Sequence, residues 1–163
     1  MTNFVKPFRY VMQIALSVTF MLGIGNCLAA EGQQGELPQV IIETSEGAIE
    51  VTLRPDIAPE TVENFITYAK NGFYEGTLFH RVIPGFMIQG GGFDQDLNQK
   101  QTRSPIRNEA RPTAKNLRGT IAMARTSSPD SATSQFFINL TDNDFLNAGV
   151  RGPGYAVFGK VTG

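Results

Sequence analysis

The stretch that decides the fold of this chain is residues 79–93, which read FHRVIPGFMIQGGGF. Period-two alternation along a strand at residues 77–83 places Arg81 on one face and His80 on the other. A Pro-Gly pair interrupts the run, and a second strand follows in which Met87 and Gln89 share a face. The stretch therefore predicts two short strands that set one arginine beside apolar side chains and an amide, an arrangement suited to gripping a neutral ligand.

A second stretch, residues 134–139, repeats this pattern and reads SQFFIN. Alternation places Gln135, Phe137 and Asn139 on one face of a strand, with apolar side chains on the other. Each of the two stretches therefore offers an amide beside a bulky apolar group.

The two stretches resemble the hallmark motifs of the cyclophilin family of peptidyl-prolyl cis-trans isomerases, FHRxxPxFMxQGG followed tens of residues later by SQFFI. The resemblance extends from about Pro38 to the last residue and includes AMA at 122–124 and VFGKV at 157–161. It implies a cyclophilin-like closed β-barrel, mostly antiparallel, with a capping helix. It also implies catalysis of rotation about Xaa-Pro peptide bonds.

Apolar periodicity predicts the elements around these motifs. Residues 40–44 and 48–53 flank a Gly-containing turn and predict a hairpin. A helix is predicted from Pro59, because apolar residues recur at i, i+3, i+4 and i+7 from Val62. Further strands are predicted over 120–124, 135–140 and 156–161, after a long excursion over 94–117. Short strands dominate, which favours a mainly β barrel.

The C-terminus departs from the family pattern. Cyclophilins close the barrel with a second helix and a last strand after the segment that residues 157–161 resemble, whereas this chain stops at Gly163. We therefore expect a domain truncated at its C-terminus, with that strand and helix missing. The strand at 40–44 is then expected to have an unpaired edge.

The N-terminus predicts export. A basic stretch through Arg9 precedes a largely apolar run and small residues at Ala29 and Ala30, which is the anatomy of a signal peptide. We assign 1–30 to a signal peptide, 31–37 to a linker and 38–163 to the isomerase domain, and we expect a periplasmic protein. Two alternatives remain open: lipid anchoring through Cys27, whose preceding residues roughly resemble a lipobox, and a membrane-spanning anchor, for which the apolar run is short.

Arg81 is the predicted catalytic residue. The peptide bond before proline has a rotation barrier of about 18–20 kcal/mol because the nitrogen is conjugated with the carbonyl. A donor that hydrogen-bonds this nitrogen as it pyramidalises weakens the conjugation, and a charged, fork-shaped guanidinium suits the task.

The resemblance implies roles for the other site residues. Gln89 is assigned to the catalytic centre, where it also holds the flanking peptide together with the backbone of Ala124 and Arg125. The proline pocket is assigned to Phe86, Met87, Phe137 and Leu146, with Gln135 orienting Arg81 or the substrate carbonyl. Phe145 is assigned to the rim, and Tyr155, where many family members have His, is assigned to substrate binding. Alternation supports Met87, Gln89, Gln135 and Phe137 independently, whereas Phe86 and Leu146 depend on the family alone.

Other chemistries are disfavoured. His80 is the only histidine and is expected to be structural, since it faces away from Arg81. One histidine is too few for a metal site, and we expect no metal and no cofactor. The run Gly90–Gly92 lacks the Lys-Ser/Thr of a phosphate loop and predicts a bulge or a close backbone approach.

The expected partners are proline-containing peptide segments of unfolded or folding proteins. The net charge is −1, and two of the 14 basic residues, Lys6 and Arg9, lie in the N-terminal segment, so a nucleic-acid partner is not expected. We expect a monomer with no membrane contact except a lipid at Cys27. Two competing functions are a binding module that holds proline peptides without turnover and an inactive product of truncation.

Overall fold

The computed structural model describes residues 9–11 and 37–163. This part of the chain holds eight strands, one α-helix and one turn of 3-10 helix. In chain order they are β1 Arg9–Val11, β2 Gln39–Thr44, β3 Gly47–Leu53, α1 Pro59–Lys70, β4 Arg81–Ile83, β5 Met87–Gly90, β6 Thr120–Met123, β7 Phe136–Asn139, the 3-10 turn Asp144–Leu146 and β8 Val157–Val161.

The strands form one antiparallel sheet in the order β1-β2-β3-β8-β6-β7-β5-β4. The sheet is curled, but its end strands, β1 and β4, do not pair with each other in the described segments. It therefore forms a half-barrel. The predicted mainly β, antiparallel architecture with one helix is confirmed in this form. β4 begins at Arg81 rather than at residue 77, because the preceding residues leave the ladder and Leu78 N donates to Phe93 O instead.

The expectation of an unpaired edge at β2 is wrong. Arg9–Val11 pairs antiparallel with residues 41–43 of β2. These three residues belong to the predicted signal peptide, whereas the rest of that segment, Cys27 and all but the last residue of the linker lie outside the described residues. No helix within 9–11 and 37–163 has the length and apolar character to cross a membrane.

Helix α1 is capped by a distant acid. Pro59 occupies its first turn, but Ala58 at the N-cap position offers no side-chain acceptor. Instead, Oε2 of Glu109, from the long excursion, accepts hydrogen bonds from Thr61 N and Oγ1, both at 2.7 Å. A carboxylate at a helix N-terminus satisfies free N–H groups and interacts favourably with the helix dipole.

The two faces of the sheet carry different buried clusters. One face packs with α1 around a core that includes Phe65, Ile121, Phe136 and Phe158, all at most 1% exposed. The other face carries a smaller buried cluster of Met87, Ala122, Phe137 and Val157. Alternation separates the two sets, since Phe136 points into the core and Phe137 points to the second face. This second face carries the candidate site.

Candidate active site

The strand register places the predicted site residues in one row. Arg81 of β4 pairs with Gln89 of β5, Gln89 pairs with Phe137 of β7, and Phe137 pairs with Ala122 of β6. Directly paired residues lie on the same face of a sheet. The row therefore begins with the exposed Arg81 at the end of the sheet and continues to the buried Phe137 and Ala122, which form an apolar floor. Met87, two residues from Gln89 and 2% exposed, extends that floor.

A cleft of about 200 Å³ opens over this row. It is lined by Arg81, Phe86, Met87, Gln89, Ala124, Arg125, Phe137, Leu146 and Tyr155. Nine of the eleven predicted site residues thus line one cleft. The other two, Gln135 and Phe145, each contact a lining side chain, Gln89 and Phe86 respectively. Phe86 and Leu146, which had no support from alternation, also line the cleft.

Two amides connect to Arg81. Gln89 Nε2 donates to Gln135 Oε1 at 2.9 Å, and this contact turns Gln89 Oε1 towards Arg81, whose Nη1 approaches it at 3.5 Å. Gln135 is predicted to orient Arg81 or a substrate carbonyl, but its hydrogen bond goes to Gln89. Its link to Arg81 is therefore indirect.

The run Gly90–Gly92 allows neighbouring side chains to approach the backbone closely. A Cβ built on Gly92 would lie 2.4 Å from Gln135 Cγ. A Cβ on Gly91, whose φ is +80°, would lie 2.8 Å from a ring carbon of Phe136. The predicted close backbone approach is present, and at Gly92 it serves the side chain that holds Gln89.

Aromatic pairs build the walls of the cleft. Phe86 stacks on Phe145 with ring centroids 5.5 Å apart and an angle of 26°. Phe137 meets Tyr155 edge-on at 5.7 Å. Phe145 is 41% exposed, as expected for a rim residue, and it supports Phe86 from outside. Such geometries are the favoured ones for aromatic contacts and fix the ring positions.

A buried asparagine cluster, consisting of Asn116, Asn139, Asn143 and Asn147, lies behind the apolar wall, and sequence reasoning missed its role. Asn143 Nδ2 donates to Asn139 Oδ1 at 2.7 Å, and Asn139 Nδ2 donates to Asn116 Oδ1 at 3.2 Å. The spacing of four residues from Asn139 to Asn143 to Asn147 was the available signal.

This asparagine cluster holds the backbone of the cleft wall. Asn143 Nδ2 also donates to the carbonyl of Phe86 at 3.0 Å. Asn116 Nδ2 donates to the carbonyls of Leu146 and Tyr155, both at 3.3 Å. Three residues of the lining are therefore anchored through their main chain to one buried amide network.

The backbone at residues 124–125 runs beside the cleft, as the resemblance implies. Ala124 N donates to Gln135 O at 2.9 Å. The Arg125 side chain is also fixed, because its Nε and Nη2 donate to Gly154 O at 3.1 and 2.9 Å. The cleft thus carries two guanidinium groups, Arg81 and Arg125, among otherwise neutral lining residues.

His80 is a structural residue in this geometry. Its ring packs against Phe93 with centroids 4.5 Å apart, and no protein group in the described segments hydrogen-bonds its buried Nδ1. Burial lowers the pKa of His80 below its usual 6.5; the Leu78 main chain opposes this shift in part, and the neighbouring Arg81 charge adds a smaller lowering. Within the described part of the chain, no group of three or more His, Cys, Asp or Glu side chains is placed to hold a metal ion.

The sequence model of the cyclophilin type peptidyl-prolyl cis-trans isomerase/CLD family matches residues 39–163. The chain belongs to this family. It is 62% identical over 122 residues to peptidyl-prolyl cis-trans isomerase A of Dickeya dadantii, covering 75% of this chain and 64% of that protein. It is 60% identical over 122 residues to a peptidyl-prolyl cis-trans isomerase of Acinetobacter baylyi, covering 75% and 65%. The chain therefore spans just under two thirds of the length of these two relatives.

The cyclophilin fold is confirmed by a solved structure. The crystal structure of a cyclophilin type peptidyl-prolyl cis-trans isomerase from Cryptosporidium parvum, in the presence of the dipeptide Ala-Pro, matches with a TM-score of 0.68 at 31% identity. The match covers 77% of this chain and 79% of that chain. The half-barrel thus has the cyclophilin fold.

Proposed function

We propose that this cyclophilin domain catalyses cis-trans isomerisation of Xaa-Pro peptide bonds, with Arg81 as the catalytic residue. The observation that carries the proposal is the row from Arg81 through Gln89 to Phe137, which joins a charged donor to a buried apolar floor. A proline ring is apolar and fits such a floor, while its nitrogen lies at the polar end.

Arg81 acts on the substrate nitrogen. During rotation the nitrogen pyramidalises and its lone pair becomes an acceptor, which the guanidinium stabilises selectively in the transition state. A hydrogen bond to a charged group contributes about 1.5–3 kcal/mol, or roughly one to two factors of ten in rate. The remaining acceleration comes from holding the peptide in a preset pose over the buried apolar floor of the cleft.

The other lining residues position the peptide. Met87 and Phe137 form the floor under the proline ring, and Phe86, Leu146 and Tyr155 enclose it. Gln89, held by Gln135, accepts from Arg81 and keeps the guanidinium beside the cleft. The main chain at residues 124–125 offers the flanking peptide an extended partner.

Turnover distinguishes this proposal from a module that only binds proline peptides. Two-dimensional NMR exchange on an Ala-Pro-containing peptide measures the cis-trans exchange rate with and without the protein. The uncatalysed exchange takes tens of seconds or more. Exchange cross-peaks at catalytic amounts of protein are expected, whereas peptide line broadening with an unchanged exchange rate would establish binding without catalysis.

The biological role we propose is assistance to the folding of exported proteins in the periplasm. Support comes from the basic stretch, the apolar run and the small residues Ala29 and Ala30 at the N-terminus. N-terminal sequencing and intact-mass analysis of exported material test this. A start after residue 29 or 30 is expected; a start at Met1 would refute processing, and a lipid-modified Cys27 would establish the anchored alternative. We also propose that the domain acts as a monomer, which sedimentation of the same material tests.

A further inference from the structure

Two arginines rest on the aromatic walls of the cleft. The Arg125 guanidinium carbon lies 4.3 Å from the ring centroid of Tyr155, and that of Arg151 lies 5.5 Å from the ring centroid of Phe145. Tyr155 packs on Phe137 and Phe145 stacks on Phe86, and Phe137 and Phe86 both line the cleft. Two aromatic residues at the cleft therefore each carry a cation over the ring face.

No carboxylate of the described residues forms an ion pair with either of these cations. The lining contains two arginines and no carboxylate. Within residues 9–11 and 37–163, the single ion pair joins Arg54 to Asp56, so neither cleft-wall arginine is paired. Asp144, on the segment that carries Phe145, has its Oδ1 engaged by Asn147 Nδ2 at 3.1 Å. Arg81 and Arg125 thus line the cleft and Arg151 lies beside it, and none of the three is in ion-pair contact with a carboxylate of the described residues.

The fold fixes Arg125 by hydrogen bonds, whereas Arg151 has, among the described residues, only its ring contact with Phe145. Arg125 is half-buried and donates three hydrogen bonds to main-chain carbonyls, two of them to Gly154. Arg151 is exposed at the tip of a turn closed by Gly149 N donating to Gly152 O at 2.9 Å. A fixed guanidinium loses little entropy when it meets a carboxylate, which favours it over a free side chain as a specificity determinant.

We propose that the cleft selects proline segments that carry an aspartate or glutamate within two residues of the Xaa-Pro bond. The inference rests on the proposed isomerase site and names the substrate class of that site. A carboxylate on either side of the proline reaches one of the two wall arginines. Exposed ion pairs are weak, so the expected preference is about threefold for each arginine engaged at low salt.

Two series of tetrapeptides test the inference. One series varies the residue before proline and the other the residue after it, each as Glu, Gln or Lys, and both kcat/KM and the Kd from NMR titration are measured. A Glu-over-Gln preference of about threefold is expected in at least one series, with Lys weakest, and 0.5 M NaCl is expected to remove most of the preference because the screening length falls to a few ångströms.

Arginine variants assign the preference to the wall. Arg151→Gln changes an exposed side chain over Phe145, and Arg125→Gln provides a second variant, over Tyr155. Each is expected to bring the Glu-to-Gln ratio close to one in the series whose carboxylate that arginine contacts. Lys70→Gln is the matched control, because it removes the same charge from the last turn of α1, which packs on the opposite face of the sheet. The ratio in this control is expected to equal that of the parent.

Equal kcat/KM and Kd for Glu and Gln peptides in both series would overturn the inference while leaving isomerase activity established. A preference that survives both arginine variants would also overturn it. A parent that prefers Glu peptides in Kd but turns over none of them would refute the isomerase proposal and uphold the selection of acidic segments. Failure to bind any peptide would refute both.

Discussion

Substituting Gly92 with alanine should lower the activity of the cleft although Gly92 is not one of its lining residues. The new Cβ would lie 2.4 Å from Gln135 Cγ, whereas unstrained carbon contacts begin at about 3.5 Å. Gln135 must therefore move by roughly 1 Å or more, and its 2.9 Å hydrogen bond with Gln89 lengthens past the limit for such a bond. Gly92 does not have a positive φ, so the effect is steric.

The expected loss follows from that hydrogen bond. A neutral hydrogen bond contributes about 0.5–1.5 kcal/mol, so release of Gln89, and through it Arg81, should lower kcat/KM by roughly 3- to 10-fold. Urea unfolding should show a comparable loss of stability. Proline-peptide turnover and urea titration of the same preparation supply both numbers.

A double variant identifies the clash. Gly92→Ala combined with Gln135→Ala should be as stable as Gln135→Ala alone, because the truncated side chain leaves room for the new methyl group. Parent-like turnover and stability of Gly92→Ala would refute the reasoning. Full additivity of the two losses would show that the glycine acts through something other than Gln135.

Three further predictions concern the scaffold. Because burial lowers the folded-state pKa of His80, its protonation favours unfolding, so the melting temperature should fall as pH decreases below about 6.5, and His80→Gln should flatten that dependence. Glu109→Gln removes the charged acceptor from Thr61 and should cost about 1 kcal/mol in urea unfolding, with turnover unchanged. Asn143→Ala leaves Asn139 Oδ1 without its donor and should lower the free energy of unfolding by about 1–3 kcal/mol. A loss below about 0.5 kcal/mol would contradict the role of the asparagine cluster in anchoring the cleft wall.

The sequence allowed much of the site to be predicted because strand alternation fixes which side chains share a face. Met87, Gln89 and Phe137 needed no more than that rule, and the cyclophilin resemblance added Phe86 and Leu146. Alternation does not determine which neighbouring side chains form hydrogen bonds with each other. The sequence therefore predicted that Gln135 orients Arg81 or a substrate carbonyl, but not its hydrogen bond with Gln89.

Residues delivered by loops were harder to predict. Asn116, in the loop before β6, meets Asn139 at the end of β7 only because the fold brings the two together, and the sequence around Asn116 has no apolar periodicity. Arg151 lies over the Phe145 ring, and the turn that carries Arg151 is closed by a hydrogen bond between Gly149 and Gly152. The pairing of Arg9–Val11 with β2 likewise joins segments that no local pattern relates, so the edge of β2 was wrongly expected to be free.

Arg81→Lys tests the central claim most directly. Lysine keeps the charge and most of the stem but lacks the guanidinium fork, so protease-coupled turnover of a proline peptide should fall by at least about tenfold, the loss expected for one charged hydrogen bond. His80→Gln, on the opposite face, should retain most of the activity, and circular dichroism should show both variants folded. Parent-level turnover by folded Arg81→Lys, together with loss of activity in folded His80→Gln, would contradict the account.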